Sequence, residues 1–212
     1  MKKALSILTA GCLAVSLAAC GSTAASSAAS AADSTASSAA ESTAASDTAA
    51  ADGQTYKVGI CQLVQHVALD AATQGFKDAL TEQLGDAVTF EEKNAQGDSN
   101  TCSTIINGFV SDNVDLILAN ATPALQAAQA GTNTIPVLGT SVTEYGVALG
   151  IDDFDGLVGT NISGTSDLAP LDEQAGIIKE LFPDAKTVGL LYCSAEPNSQ
   201  YQVDTVKASL EE

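Results

Sequence analysis

The sequence predicts an α/β fold: a parallel sheet with helices on both faces, followed by the start of a second, similar lobe. Two observations carry this reading. Short runs of β-branched and apolar residues alternate with helical periods from Tyr56 to Leu138, and such alternation is the mark of βαβ units. The rhythm lapses over 144–169 and then resumes. Residues 54–143 are therefore expected as an N-terminal lobe, 144–169 as a crossover or hinge, and 170–212 as the beginning of a second lobe that stops before a sheet can form.

Each element has its own warrant. Tyr56 to Leu63 (YKVGICQL) is apolar and β-rich and reads as a buried strand. Leu69, Ala72, Phe76, Leu80 and Leu84 recur at three- and four-residue spacing, which places them on one side of a helix. Ala87 to Glu91 is the second strand, and Cys102 to Val110 a helix with Ile105, Ile106, Phe109 and Val110 on one side. Val114 to Ala119 is the third strand. Thr122-Pro123 opens the next helix, a cap hydroxyl before a proline whose missing N–H costs nothing there. That helix ends near Gly131, and Ile135 to Leu138 is the fourth strand. The glycine-rich stretch from Glu144 to Leu168 shows no helical period, with a short strand expected near Val158 to Ile162. Pro170 to Phe182 is helical, Thr187 to Tyr192 (TVGLLY) reads as a buried strand, and Asn198 to Glu212 as a last helix.

The first residues carry an address. Lys2 and Lys3 precede the uncharged apolar run Ala4 to Ala19, which is shorter than the ~20 residues of a spanning helix. A basic start, an apolar middle and small residues at the end are the marks of an export signal. The run closes on Leu17-Ala18-Ala19-Cys20, which resembles the lipobox of bacterial lipoproteins. Residues 1–19 are thus expected as a signal peptide and Cys20 as a lipidated anchor. From Gly21 to Gly53 nearly every residue is Ala, Ser or Thr, with no branched aliphatic or aromatic side chain. Such a segment cannot bury enough apolar surface to offset chain entropy, so 20–53 is expected as a disordered tether. The expected location is extracytoplasmic, on the cell membrane.

Composition excludes several classes. The formal charge is −18, and about −20 without the two leader lysines. Nucleic acid and anionic surfaces recruit Lys and Arg, so neither is expected as a partner. Cys61, Cys102 and Cys193 remain after Cys12 and Cys20, with no spacing that suggests a metal. Buried single thiols are the expectation, and one disulfide is possible without an assignable pairing. The first strand is not followed by G-x-G-x-x-G, no G-x-S-x-G elbow is present, and no carboxylate pair is placed as acid and base. Neither an enzyme nor a cofactor is expected.

In open parallel sheets, ligands bind beyond the carboxyl ends of the strands. Those ends carry Gln62-Leu63-Val64-Gln65-His66, Asn94 to Asp98, Asn120-Ala121-Thr122 and Thr140 to Thr143, with Ser194 to Asn198 after the fifth apolar run. These amide, hydroxyl and small residues suit a small polar ligand.

Several segments in order, "KVGICQLVQHVALDAATQGFKDAL", "NAQGD", "DLILANATPALQAA", "IPVLGTSVT", "GTSDLAP" and "GLLYCSAEPNSQYQV", closely resemble the tryptophan/tyrosine-type solute-binding lipoproteins of bacterial ABC importers. The resemblance runs from about Tyr56 to Glu212. It departs at His66-Val67, where the family usually has His-Pro, and family members continue well past this length. It implies two α/β lobes that close on a small polar ligand, an amino acid with aromatic ones favoured, and deliver it to a membrane permease driven by ATPase subunits. The residues expected to meet the ligand are Gln62, Val64, His66, Thr122, Ser141, Val142, Thr143, Asp167, Glu196 and Asn198. His66 either lines the cleft or takes a surface or helix-capping role. Thr122 lies at a helix N-terminus suited to a carboxylate, and Asp167 is a candidate partner for an α-ammonium or a turn cap. Asn198 either meets ligand or caps the last helix. A binder of sugars or other small solutes is the alternative, though the absence of Trp argues against a sugar sandwich. A tethered single-lobe sensory or inactive fragment is another.

Overall fold

A computed structural model describes residues 53–212; the signal segment, Cys20 and the tether up to residue 52 lie outside the described residues. The elements are β1 (Tyr56–Gln62), α1 (Val67–Leu84), β2 (Val88–Asn94), α2 (Ser99–Ser111), β3 (Leu116–Asn120), α3 (Thr122–Gly131), β4 (Val137–Val142), α4 (Tyr145–Leu149), β5 (Ile162–Ser166), α5 (Leu171–Leu181) and α6 (Pro197–Glu211). The five strands form one parallel sheet in the order β2-β1-β3-β4-β5. The chain steps from β1 out to β2 and then back across β1 to β3. A topological switch point therefore lies between β1 and β3, where ligand crevices form in such sheets.

Strand alternation builds a core on each face. Val58 and Ile60 of β1, Val88 of β2 and Leu118 of β3 pack under Phe76, Leu80 and Leu84 of α1. Cys61, Ile117 and Ala119 face the other way, onto Cys102, Ile106 and Phe109 of α2 and Ala124, Leu125 and Ala128 of α3. Helices thus cover both faces, as the sequence predicts. Helix starts are set locally. Asp98 caps α2 by accepting from the N–H groups of Asn100 (2.6 Å) and Thr101 (3.2 Å), which satisfies two of the donors a helix leaves free at its first turn.

Four expectations need correction. The stretch read as an irregular connection contains α4, whose five residues are too few to show a period; Glu144 caps it through the N–H groups of Gly146 and Val147. The strand expected near Val158 to Ile162 forms instead as β5 at Ile162–Ser166, in the same sheet as β1 to β4. β4 lies further along than Ile135 to Leu138 and ends at Val142. The expected strand Thr187 to Tyr192 is not one: the segment is irregular and exposed, with Leu191 fully open to solvent. Its pattern is that of a strand, but among the described residues no strand lies beside it to take its backbone bonds.

α5 and α6 pack together, with the Lys179 ammonium donating to the Ser209 carbonyl at 2.7 Å. A groove of about 520 Å³ beside them is lined by Ile178, Phe182, Val188, Leu190, Val203 and Leu210 among others; none of its lining residues belongs to a strand-end loop of the sheet. Among the described residues no helix is long and apolar enough to cross a membrane.

The β4–β5 edge is closed by an aromatic clasp. Tyr145 is buried, its hydroxyl donates to the Thr165 carbonyl at 3.3 Å, and its phenol lies where side chains at Gly139 and Gly164 would otherwise stand. Burial, with the Asp167 carboxylate adding to it, pushes the phenol up to about 12 from 10.0. A raised folded-state value means the protonated form is favoured in the native state. Its stabilisation is complete below pH 10 and is lost as pH rises towards 12. Denaturant midpoints measured from pH 9 to 12 are expected to fall across that window, and Tyr145→Phe is expected to flatten the fall.

Candidate functional site

Backbone bonds lace the carboxyl ends of the strands into one surface. Leu63 N–H donates to the Asn120 carbonyl (3.2 Å), Ala95 N–H to the Gln62 carbonyl (2.8 Å), Gly97 N–H to the Leu63 carbonyl (2.7 Å) and Ala121 N–H to the Thr140 carbonyl (3.0 Å). The loops after β1, β2, β3 and β4 are therefore held in register with one another at the switch point.

Beneath this surface runs a buried polar network. The Gln62 amide nitrogen donates to the Val64 carbonyl (2.9 Å) and the Asp70 carboxylate (2.6 Å). Thr73 Oγ1 donates to the Gln62 Oε1 at 2.7 Å and itself accepts from Asn120 Nδ2 at 2.9 Å. Asn120 Nδ2 also donates to the Leu69 carbonyl at 2.9 Å. Gln62, Thr73 and Asn120 are all buried, so these bonds act where an unmade one is costly. The network ties the first turns of α1 to the ends of β1 and β3. Gln62 thus holds the loop, with Asp70 in the first turn of α1 as its anchor.

The β3–α3 junction is the strained point. Ala121 sits at φ 94, ψ 157, a region in which a β-carbon costs on the order of 1–3 kcal/mol. Its carbonyl accepts the first helical bond, from Leu125 N–H at 3.1 Å. Ala121 is therefore the cap position, and the expected side-chain cap by Thr122 is not made. Thr122 is the first helical residue, 2% exposed, with its Oγ1 lacking a hydrogen-bond partner. Asn120 Oδ1 next to it is likewise buried and unpartnered. Gln96 and Ser141, at two other strand ends, also adopt positive φ (both 55°). Ser141 falls where the β4–β5 register shifts between Gly139 and Val142, the kind of bulge that re-aims a side chain.

The remaining sequence-predicted residues divide. His66 caps α1, its exposed ring accepting from Ala68 N–H at Nδ1 (3.2 Å). Val64 and Gln65 border a polar depression of about 560 Å³ with Gln62, Asp70, Asn94 and Gln96. Val142 is fully buried in the core, and its carbonyl already accepts Asp167 N–H at 3.0 Å, so it offers a ligand little. Thr143 is buried; its carbonyl accepts from Ser166 Oγ (2.7 Å) and its hydroxyl from Gln202 of α6 (3.3 Å). Asp167 is exposed beside Tyr145. Glu196 stands at the N-cap of α6, where its carboxylate accepts from Ser199 Oγ at 3.2 Å. Asn198, in the first turn of α6, keeps its Oδ1 buried and unpartnered. Thr73 was not expected at the site, although a polar residue on the buried side of α1 is a signal the sequence carries. Among the described residues no cluster of His, Cys, Asp or Glu could hold a metal.

Known proteins share this sequence and fold. The chain is 41% identical over 152 residues to the "Tyrosine-binding protein" of Clostridioides difficile (strain R20291), covering 70% of this chain and 44% of that one. A Streptococcus pneumoniae ABC domain solved in complex with L-Trp is 34% identical with a TM-score of 0.69, covering 74% of this chain and 54% of that one. A conserved domain protein of Vibrio cholerae is 35% identical, also at TM-score 0.69 and the same coverage. The chain spans about half the length of these relatives. The profile of the ABC transporter substrate binding protein family matches residues 57–212. With fold and sequence in agreement, this chain belongs to the ABC transporter substrate binding protein family.

Proposed function

We propose that this chain forms one wall of a cleft that captures a free amino acid, with an aromatic side chain favoured, for an ABC importer. The observation that carries the reading is the Thr122 hydroxyl, buried and unpartnered at the N-terminus of α3. A helix N-terminus presents free N–H groups and positive potential, and a carboxylate there would give the hydroxyl the acceptor it lacks. The likeness to a tyrosine-binding protein and to a domain bound to L-Trp supports an aromatic amino acid. The opposing wall is proposed to begin at 170–212, with Glu196 and Asn198 facing the ligand. Capture would work by differential affinity: a ligand touching both walls shifts an open–closed equilibrium towards closed. The closed form would dock on a membrane permease with its ATPase subunits, and the receptor itself does no chemistry. The protein is proposed to act outside the cytoplasm, tethered through lipid on Cys20.

The test is calorimetric titration of the full-length protein with L-Tyr, L-Trp, L-Leu and glucose. Binding of the aromatic amino acids is expected, with none of glucose, and a melting temperature that rises with ligand concentration. Thr122→Val keeps the shape and removes the hydroxyl. It is expected to weaken binding by roughly tenfold to a hundredfold, the range for a bond to a charged group, while leaving the ligand-free melting temperature nearly unchanged. Equal affinity in Thr122→Val would remove the hydroxyl from the site. No response to any amino acid would overturn the transport reading.

A further inference from the structure

Two of the three cysteines among the described residues are fully buried, Cys61 on β1 and Cys102 on α2, and both lie in the same apolar cluster. Their positions follow from how β1 packs on α2. Gly59 carries no side chain because the Phe109 ring rests on it: a Cβ there would come within 2.7 Å of the ring. Cys61 stands two residues further along the same face of β1. Cys102 stands two turns back from Phe109 along the stripe Cys102, Ile106 and Phe109 that α2 buries. In a βαβ unit the helix runs antiparallel to its strands, so these two offsets lead the same way in space. They bring the two thiols side by side in one apolar cluster, close enough for each to shift the other's titration.

We infer that Cys61 and Cys102 form a disulfide, a covalent staple between β1 and α2 beneath the strand-end loops. The inference rests on the extracytoplasmic placement proposed above, where disulfides form and persist. Two thiols give up two protons and two electrons. The oxidant is a disulfide, of a protein oxidoreductase or of a small thiol, which takes the electrons and leaves as two thiols. One cysteine thiolate attacks the oxidant's sulfur to give a mixed disulfide, and the other then displaces the oxidant's second thiol and closes the bond. The exchange belongs to the folding chain. In the native state both thiols lie buried in the apolar cluster, out of an oxidant's reach. The closed loop contains α1 and β2, and one end of the staple adjoins Gln62, so the bond would stiffen the network that holds the β1 loop. Cys193 is exposed and outside the pair.

The test is peptide mapping of the full-length protein isolated without reductant and alkylated under denaturing conditions. The expected product is a linked pair of peptides carrying Cys61 and Cys102, two hydrogens lighter than their sum, with Cys193 alkylated. Reduction is expected to lower the melting temperature by roughly 10 °C. The shift is expected to persist in Cys193→Ser and to vanish in the double variant Cys61→Ala/Cys102→Ala. Free Cys61 and Cys102 in protein from the extracytoplasmic fraction, or a link from either to Cys193, overturns the inference. Refolding in oxidised glutathione separates the two ideas. Protein found in the cytoplasm with free thiols that pair on refolding overturns the placement and leaves the pairing standing. Thiols that stay free after refolding overturn the pairing itself.

Discussion

Asn120→Ala is expected to destabilise the protein by about 3 kcal/mol. The side chain is wholly buried and its amide nitrogen donates twice, to the Leu69 carbonyl and to Thr73 Oγ1. Truncation removes both bonds and opens a cavity that the packed junction can only partly fill. Two bonds at about 1 kcal/mol each, with a cavity contribution of similar size, give the estimate. The unpartnered Asn120 Oδ1 works in the other direction, since deleting an orphaned acceptor returns part of its desolvation cost. The measured quantity is the urea midpoint at unchanged slope. A cycle with Thr73→Val isolates the pair, and a coupling of about 1 kcal/mol is expected because the two side chains share one bond. A loss below 1 kcal/mol in Asn120→Ala would mean that α1 is held to β3 by packing alone. The same variant is expected to weaken the proposed amino-acid binding, because the loop bearing Thr122 begins at Asn120.

This network shows where sequence reading reaches and where it stops. The apolar stripe of α1 is legible because Leu69, Phe76, Leu80 and Leu84 repeat at helical spacing. The same repeat places Ala72 on that stripe, yet the structure buries Thr73 more deeply. Hydrophobicity alone favours Ala, and only the partners across the sheet make a buried threonine affordable. The strand-end loops were legible as a group because topology alone directs them to one edge. The division of labour among them was not. Gln62 and Thr143 have the side chains of ligand contacts, but their polar groups are engaged by Asp70, Thr73 and Gln202, residues 8 to 59 positions away. Ala121 could not be read at all, since nothing about an alanine announces a positive φ. Its conformation comes from the switch from β3 to α3 while its N–H stays bonded to the Thr140 carbonyl. Thr187 to Tyr192 failed for a related reason. A strand is a pairing, and a local pattern specifies only half of it.

Gly164→Ala is expected to be the most damaging small substitution in the sheet, costing roughly 3 kcal/mol or more. Gly164 pairs with Gly139 across the β4–β5 ladder, and a Cβ on it would run into the Tyr145 hydroxyl oxygen and the Gly139 carbonyl. Relief by a side-chain swing is not enough, because one of the obstructing atoms is backbone held in the ladder. The phenol cannot move away without giving up its bond to the Thr165 carbonyl and its burial. Two coupled variants identify the cause. In a Tyr145→Phe background the hydroxyl clash is gone but the carbonyl clash remains, so Gly164→Ala is expected to recover only part of the loss. Gly176→Ala is the control: it lies in α5, a Cβ there meets nothing within 4 Å, and the change is expected to stabilise by up to about 1 kcal/mol. Because β5 joins the sheet through this contact, Gly164→Ala is also expected to loosen Ser166 and its bond to the Thr143 carbonyl. Hydrogen exchange should then speed at Ile162–Ser166 before it speeds at β1. Equal exchange rates in the two strands, together with a stability loss under 1 kcal/mol, would show that the edge strand yields without cost and that the Tyr145 clasp does not hold it.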